Sequence, residues 1–350
     1  MKARAKDLDL LRFFAAVAVM LYHFSYRRLG DVNIPLFPML EHVTKYGYLG
    51  VNLFFMISGF VILWTALDRG PGDFARSRFV RLYPTFWAAL FITVIGVLLL
   101  SQTQFTAAQI VKNATMVGGY LGTDYIDGVY WTLQLELKFY VLVFALLLFD
   151  QMRRIEAWLI AWFLLAVVAY FFKGIPGIRS LVLYPYGFYF IAGAFFFLVR
   201  HRGPTWPRLI CLSACFLFTL QQVDEQAAGC LFTAQQIDFV IVRVLCALFF
   251  ATFAMGCFVD LSSLLPRYVI SAAAITYPLY LIHNRLGKLV FAHLSDSIGS
   301  VGALFVSIAV VSAIAWAVVL LVDQRLSKRL DAQLKRIPMF RKAANASAVG

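Results

Sequence analysis

Charge is what this sequence has least of. Asp, Glu, Lys and Arg make up 14% of its 350 residues, whereas a water-soluble domain devotes about a quarter of its residues to them. Hydrophobic residues reach 62% and the mean hydropathy is +0.79. A large soluble domain is therefore excluded, and the expected fold class is all-α: a polytopic transmembrane helix bundle. Cysteine is sparse and unpatterned. Cys211, Cys215, Cys230, Cys246 and Cys257 form no C-x-x-C pair and have no histidine at ligand spacing, so no metal site is expected. No repeat of fixed period and no low-complexity segment is present. No small-residue cleavage site follows the first apolar run, which leads instead into Tyr22-His23-Phe24-Ser25-Tyr26-Arg27. The first helix is expected to be retained. The net charge of +13 is scattered among apolar spans rather than gathered on one face, so no nucleic-acid partner is expected.

What is there is a series of apolar runs. At ~20 residues per crossing the chain has room for about ten spans. They are read at 8–26, 47–67, 79–100, 129–149, 156–173, 181–199, 208–221, 240–258, 268–290 and 301–322, the run at 208–221 being short. Lys and Arg collect on alternate loops: Lys2, Arg4 and Lys6; Arg69, Arg76, Arg78 and Arg81; Arg153 and Arg154; Arg200, Arg202 and Arg208; Arg267; and the tail from Arg325 to Lys342. The opposite side carries Arg27, Arg28, Lys45, Lys112, Lys173 and Arg179, with Arg285 and Lys288 near it. Cytoplasmic loops are enriched in such residues, which places both termini in the cytoplasm. Residues 1–322 are read as the transmembrane domain and 323–350 as a basic cytoplasmic tail. In that tail Leu326, Leu330 and Leu334 alternate with bases, as on a helix lying against an anionic leaflet.

Ionisable groups inside apolar spans are costly and mark function more often than lipid-facing surface. Here they are Arg12, His23, Glu136, Lys138, Arg243 and His283. At 1.5 Å per residue, His23 lies about 16 Å beyond Arg12 along the first span. Glu136, about 10 Å below the outer surface on an inward-running span, and His283 on an outward-running one fall at a similar depth. A histidine beside a carboxylate is a general base, because the carboxylate fixes the tautomer and stabilises the imidazolium. That chemistry suits activation of a hydroxyl. The competing reading makes the histidines interfacial and pairs Glu136 with Lys138 or Arg243. At the cytoplasmic face Arg76, Arg78 and Arg81, joined by Arg12, obey the positive-inside pattern, yet their forked guanidinium groups would also grip phosphates. In the second span Gly50 and Gly59 are read as packing residues, and Asn52 and Ser58 as groups able to line a pore.

Five segments occur in order. The first span reads Leu8-Asp9-Leu10-Leu11-Arg12-Phe13-Phe14-Ala15, with Arg12 and His23 in an R-x10-H spacing. The second reads Gly50-Val51-Asn52-Leu53-Phe54-Phe55-Met56-Ile57-Ser58-Gly59-Phe60, and Arg78, Arg81 and Pro84 open the third. The fourth contains Trp131-Thr132-Leu133-Gln134-Leu135-Glu136-Leu137-Lys138-Phe139-Tyr140, and near the end stands Thr276-Tyr277-Pro278-Leu279-Tyr280-Leu281-Ile282-His283. Over most of the chain this order resembles the acyltransferase-3 family of bacterial and eukaryotic membrane acyltransferases. The resemblance implies an acyl-CoA donor, commonly acetyl-CoA, reaching the site from the cytoplasm. It implies an acceptor hydroxyl on an extracytoplasmic or lipid-linked glycan, such as an exopolysaccharide precursor. The expected protein is a multi-pass O-acyltransferase of the bacterial inner membrane, with no metal. His23, Glu136 and His283 are its expected catalytic residues, and Arg12, Arg76, Arg78 and Arg81 its donor-binding residues. Asn52, Ser58, Tyr277 and Tyr280 are the substrate-binding candidates, Asn52, Ser58 or Tyr280 also serving as oxyanion donors. An appended esterase-like domain, carried by some members, is not expected. The rival is a transporter or flippase of a glycan or lipid-linked intermediate, although the inverted halves and paired broken helices common in transporters are missing.

Overall fold

The computed structural model describes residues 6–26, 38–230, 237–259, 265–266, 268–337 and 339. Lys2, Arg4, Arg27, Arg28, Arg267, Arg341 and Lys342, which entered the orientation argument, lie outside the described residues. Among the described residues the chain is helical and contains no strand, the arrangement that lets an apolar segment satisfy its own backbone in lipid.

In chain order the helices are α1 Lys6–Ser25, α2 Pro38–Thr44, α3 Gly50–Ala66, α4 Pro71–Leu100, α5 Ala107–Ala114, α6 Trp131–Leu148 and α7 Ile155–Phe171. There follow α8 Ile178–Leu181, α9 Gly187–Arg202, α10 Trp206–Cys230, α11 Phe239–Phe258, α12 Tyr268–Ile282 and α13 Arg285–Val318. A π-helical stretch, Val319–Ser327, continues into α14, Lys328–Leu334. Local chemistry accounts for several starts. Gly70 and then Pro71 open α4, proline being tolerated where no backbone donor is needed. Thr106 and Gln109 close a capping box on α5, and Asp238 accepts from the Val240 amide to cap α11.

Among the described residues seven helical stretches are long and apolar enough to cross a membrane: Lys6–Ser25, Met39–Ala66, Pro71–Leu100, Gly128–Leu148, Met152–Phe171, Phe239–Phe258 and Arg285–Leu334. Helices α9, with 16 residues, and α12, with 15, fall short of a full crossing. Helix α10 has 25 residues, but its second half carries Gln221, Gln222, Asp224, Glu225 and Gln226.

The expected span at 268–290 is corrected. The run read as a single span over 268–290 is two helices, α12 ending at Ile282 and α13 starting at Arg285. The run at 301–322 is the continuation of α13 beyond Gly299, where φ is +72°. A left-handed backbone suits glycine, which has no Cβ to clash. At the break, His283 and Asn284, a carboxylate from another segment binds the start of α13.

The chain divides into two compact units. The first comprises Met1–Ala15, Tyr48–Asp68 and Lys138–Val269. Its core is the contact of α3 with α9, where Gly59 faces the Phe190 carbonyl and Gly193 faces the Met56 carbonyl so closely that a Cβ on either would overlap backbone. Small residues at such crossings let backbones approach. Phe55 stacks on Phe190 and Phe139 meets it at a tilt, each at 4.8 Å between ring centroids. The second unit comprises Ala16–Gly47, Arg69–Leu137 and Ile270–Gly350. Within it, Gly287 on α13 leaves room for the Phe24 ring, and Gly96 on α4 for Leu286. The π-helix and α14 lie along α4: Thr85 bonds Asp323, and Arg76 pairs with Asp331.

Candidate functional site

The second unit gathers the chemistry. His23, near the end of α1, and His283, in the turn after α12, are 7% and 0% exposed, and their ring centroids are 5.2 Å apart. The two imidazoles expected to share a layer are thus neighbours. Nδ1 of His283 lies 3.1 Å from the Leu279 carbonyl. A carbonyl only accepts, so in the neutral ring Nδ1 carries the proton and Nε2 holds the lone pair. That Nε2 is buried and has no hydrogen-bond partner among the described residues. The arrangement amounts to a base with its tautomer already set.

Around the pair, Tyr280 has its ring 5.7 Å from that of His283, and its hydroxyl is 2.9 Å from Thr132 Oγ1 at the start of α6. Tyr277, one turn earlier on α12, donates to the Leu82 carbonyl at 3.3 Å. Glu136 is half-buried on α6. The carboxylate whose charge reaches His283 is that of Asp127, with Lys288 of α13 acting in the opposite sense. Asp127 and Lys288 are 0% and 2% exposed. Neither stood out in the sequence, because Asp127-Gly128 reads as a turn ahead of a span and Lys288 as a loop base. The loop before Asp127 is itself folded in. Tyr125 donates to Gln134 Oε1 at 2.8 Å, and burial pushes its phenol up while a backbone bond from Gly119 pulls it back.

The expected phosphate-binding arginines differ in circumstance. Arg76 is buried and held by Asp73 and Asp331, so its charge is already matched. Arg78 is also buried, 5.8 Å from the centre of the Phe74 ring, whereas Arg81 is exposed near Asp323. In the first unit Arg12 stands 3.6 Å from Asp9. Lys138 donates to Ser180 Oγ at 2.6 Å and Arg243 to Asp224 at 3.1 Å, both within the first unit.

Asn52 belongs to a buried knot in the first unit. Its amide donates to the Tyr189 hydroxyl at 2.8 Å and to Gln226 Oε1 at 2.6 Å. Gln226 in turn donates to the Pro185 carbonyl at 3.1 Å, and the Tyr189 hydroxyl is 3.3 Å from Cys246 Sγ. Ser58 is buried on α3. An apolar cleft of about 520 Å³ in this unit is lined by Leu63, Phe139, Trp158 and Trp162 among others and holds no histidine or carboxylate. Acid–base chemistry therefore points to the histidine pair. No group of His, Cys, Asp or Glu able to hold a metal is found among the described residues.

Comparison with known proteins fits this picture. A family model described as an acyltransferase domain matches residues 6–322. "Acyltransferase MdmB" of Streptomyces mycarofaciens is 28% identical over 148 residues, 39% of this chain and 38% of that protein. "Nodulation protein 10" of Rhizobium leguminosarum bv. viciae is 29% identical over 157 residues, 39% and 42% of the two chains. "Exopolysaccharide production protein ExoZ" of Rhizobium meliloti (strain 1021) is 33% identical over 115 residues, 30% and 35%. The chain thus spans about two fifths of the length of the first two of these relatives. No solved structure matches.

Proposed function

Because this chain belongs to the acyltransferase-3 family, we propose that it is a multi-pass membrane O-acyltransferase moving an acyl group, acetyl in the first instance, from cytoplasmic acyl-CoA to a hydroxyl of a cell-surface or lipid-linked glycan. The observation that carries the reading is the buried histidine pair, with Nε2 of His283 unoccupied beside the ring of His23. In the reaction the acceptor hydroxyl attacks the thioester carbonyl and gives its proton to an imidazole. The tetrahedral intermediate then expels the CoA thiolate, which recovers that proton. Tyr280, 5.7 Å from His283 between ring centroids, suits the acceptor or the oxyanion, with Tyr277 bracing α12. Glu136 remains a candidate partner for the pair, and Asn52 and Ser58 remain acceptor-side candidates in the first unit. Residues 1–322 form the acyl-transfer domain in this reading and 323–350 the basic tail. A glycan acceptor is supported by the relative named for exopolysaccharide production, and a bacterial inner membrane by the bacterial relatives.

In this reading Arg78 and Arg81 are the donor-phosphate candidates of the second unit and Arg12 is a candidate of the first, while the charge of Arg76 is matched by two aspartates. Transfer of label from acyl-CoA to endogenous glycan in membranes carrying the chain tests the activity, and no transfer above empty membranes rejects it. In the same assay Arg78→Ala and Arg81→Ala are expected to raise the donor KM several-fold with little change in kcat, the mark of lost ground-state binding. Unchanged KM in both would return them to the positive-inside pattern alone. The orientation has its own check: with native cysteines removed, Arg154→Cys should resist an impermeant thiol reagent added outside, and Asp224→Cys should react. The reverse labelling would exchange the donor and acceptor sides.

A further inference from the structure

Asp127 is fully buried in the short turn that precedes α6, far in sequence from the segment it binds. Its Oδ1 accepts from the Val129 amide at 3.1 Å and from Asn284 Nδ2 at 2.6 Å, and its Oδ2 accepts from the Arg285 amide at 2.8 Å. The last two bonds clamp the junction where α12 ends and α13 begins, and His283 is the residue immediately before that clamp. Asn284 does not cap α13 with its own side chain. It orients toward Asp127 instead, and the carboxylate serves the helix start from outside.

Three neutral N–H donors reduce the cost of burying a carboxylate but do not cancel its charge. On the other side of the balance, Lys288 is buried in the first turn of α13 and its positive charge also reaches His283. The groups that bear on His283 are therefore His23 from α1, Tyr280 from α12, Lys288 from α13 and Asp127 from the turn before α6. Asp127 and Lys288 thus act in opposite senses on an imidazolium forming at His283.

We propose that Asp127 is the positioning carboxylate of the histidine pair, acting through Asn284 and the first amide of α13 to hold His283 in place and to offset the imidazolium that forms there. From the sequence alone that part is expected of Glu136. The inference rests on the acyltransferase reading of the pair.

The test compares the purified full chain in four forms: wild type, Asp127→Asn, Asn284→Asp, and the double variant Asp127→Asn/Asn284→Asp, with Glu136→Gln, His23→Gln and His283→Gln beside them. Asp127→Asn sets one amide against another across the 2.6 Å contact and removes the charge, whereas the double variant returns donor, acceptor and charge with the two residues exchanged. Expected for Asp127→Asn is a fall in kcat of about 10-fold to 100-fold, the scale on which groups supporting a reacting residue act. Donor KM should be unchanged, and the double variant should recover about tenfold in kcat. The inference is overturned by wild-type kcat in a folded Asp127→Asn protein. It is equally overturned if kcat falls only in step with a lowered thermal midpoint and the double variant restores the midpoint without restoring kcat. If the His variants lose transfer and Asp127→Asn does not, this inference alone fails. If the His variants retain transfer, the acyltransferase reading of the pair fails and takes Asp127 with it.

Discussion

His283→Gln and His23→Gln are each expected to lower acyl transfer by about 10² or more, the usual scale of general acid–base assistance, with insertion in the membrane and affinity for acyl-CoA at wild-type levels. Glutamine keeps a polar side chain of similar reach but has no lone pair that takes a proton near neutral pH, so the change removes the base while sparing most of the packing. The environment makes the loss hard to replace. Both rings are buried, and the His283 tautomer is fixed by the Leu279 carbonyl, so no bulk water stands by as a substitute base. Residues that work as a unit are strongly non-additive, and the double variant should be scarcely worse than the poorer single one. Single-turnover transfer with labelled acyl-CoA, measured beside a thermal unfolding curve in detergent, decides the matter. Wild-type turnover in both well-folded single variants would make the pair a packing contact.

The second large effect concerns the fold. Gly59→Ala and Gly193→Ala should each destabilise the chain by about 1–3 kcal/mol, the cost of overfilling a packed core, and larger side chains there should prevent correct assembly. In an ordinary helix glycine to alanine is favourable by up to about 1 kcal/mol. At these two positions the sign reverses, because the added Cβ meets the carbonyl of Phe190 or Met56 on the facing helix. Gly256 on α11, with nothing within 4 Å of such a Cβ, supplies the contrast: Gly256→Ala should be neutral or stabilising. Because the first substitution already parts α3 from α9, the pair at 59 and 193 should cost less than the sum of the singles. Thermal midpoints in one detergent settle this, and a stabilised Gly193→Ala protein would disprove the close crossing.

Much of this architecture could be read from hydropathy, and the exceptions share a cause. Helices α1, α3, α4, α6, α7 and α11 follow apolar runs bounded by Gly, Pro or charge, and Gly59 was legible as a packing residue. Helix α10 was not legible in full. Its apolar run ends at residue 221, yet the helix continues to Cys230, where Gln226 is bonded by Asn52 and Glu225 accepts from Lys173 at 2.8 Å. Polar residues whose partners lie on distant segments look like loop to any local window. The same blindness hid the break between α12 and α13: residues 268–290 are apolar enough to run on, and what interrupts them is Asp127, 157 positions from Asn284. The histidines could be found because an imidazole in an apolar stretch is conspicuous alone. Asp127 could not, since its meaning depends on what it touches. Arg76 shows the converse, its positive charge being evident in the sequence and its two neutralising aspartates only in the fold.

The way α4 is held has a consequence for how the protein is made. When α4 leaves the ribosome, Arg76 has Asp73 one turn away, but Thr85 must wait for Asp323, 238 positions later. Asp331, the second carboxylate on Arg76, comes later still. Until those residues are made, the start of α4 carries a guanidinium with one of its two aspartates. Its final registry is set only when the π-helix and α14 fold back along it. Quality control that senses an incompletely matched buried charge would read this spot until Asp331 arrives.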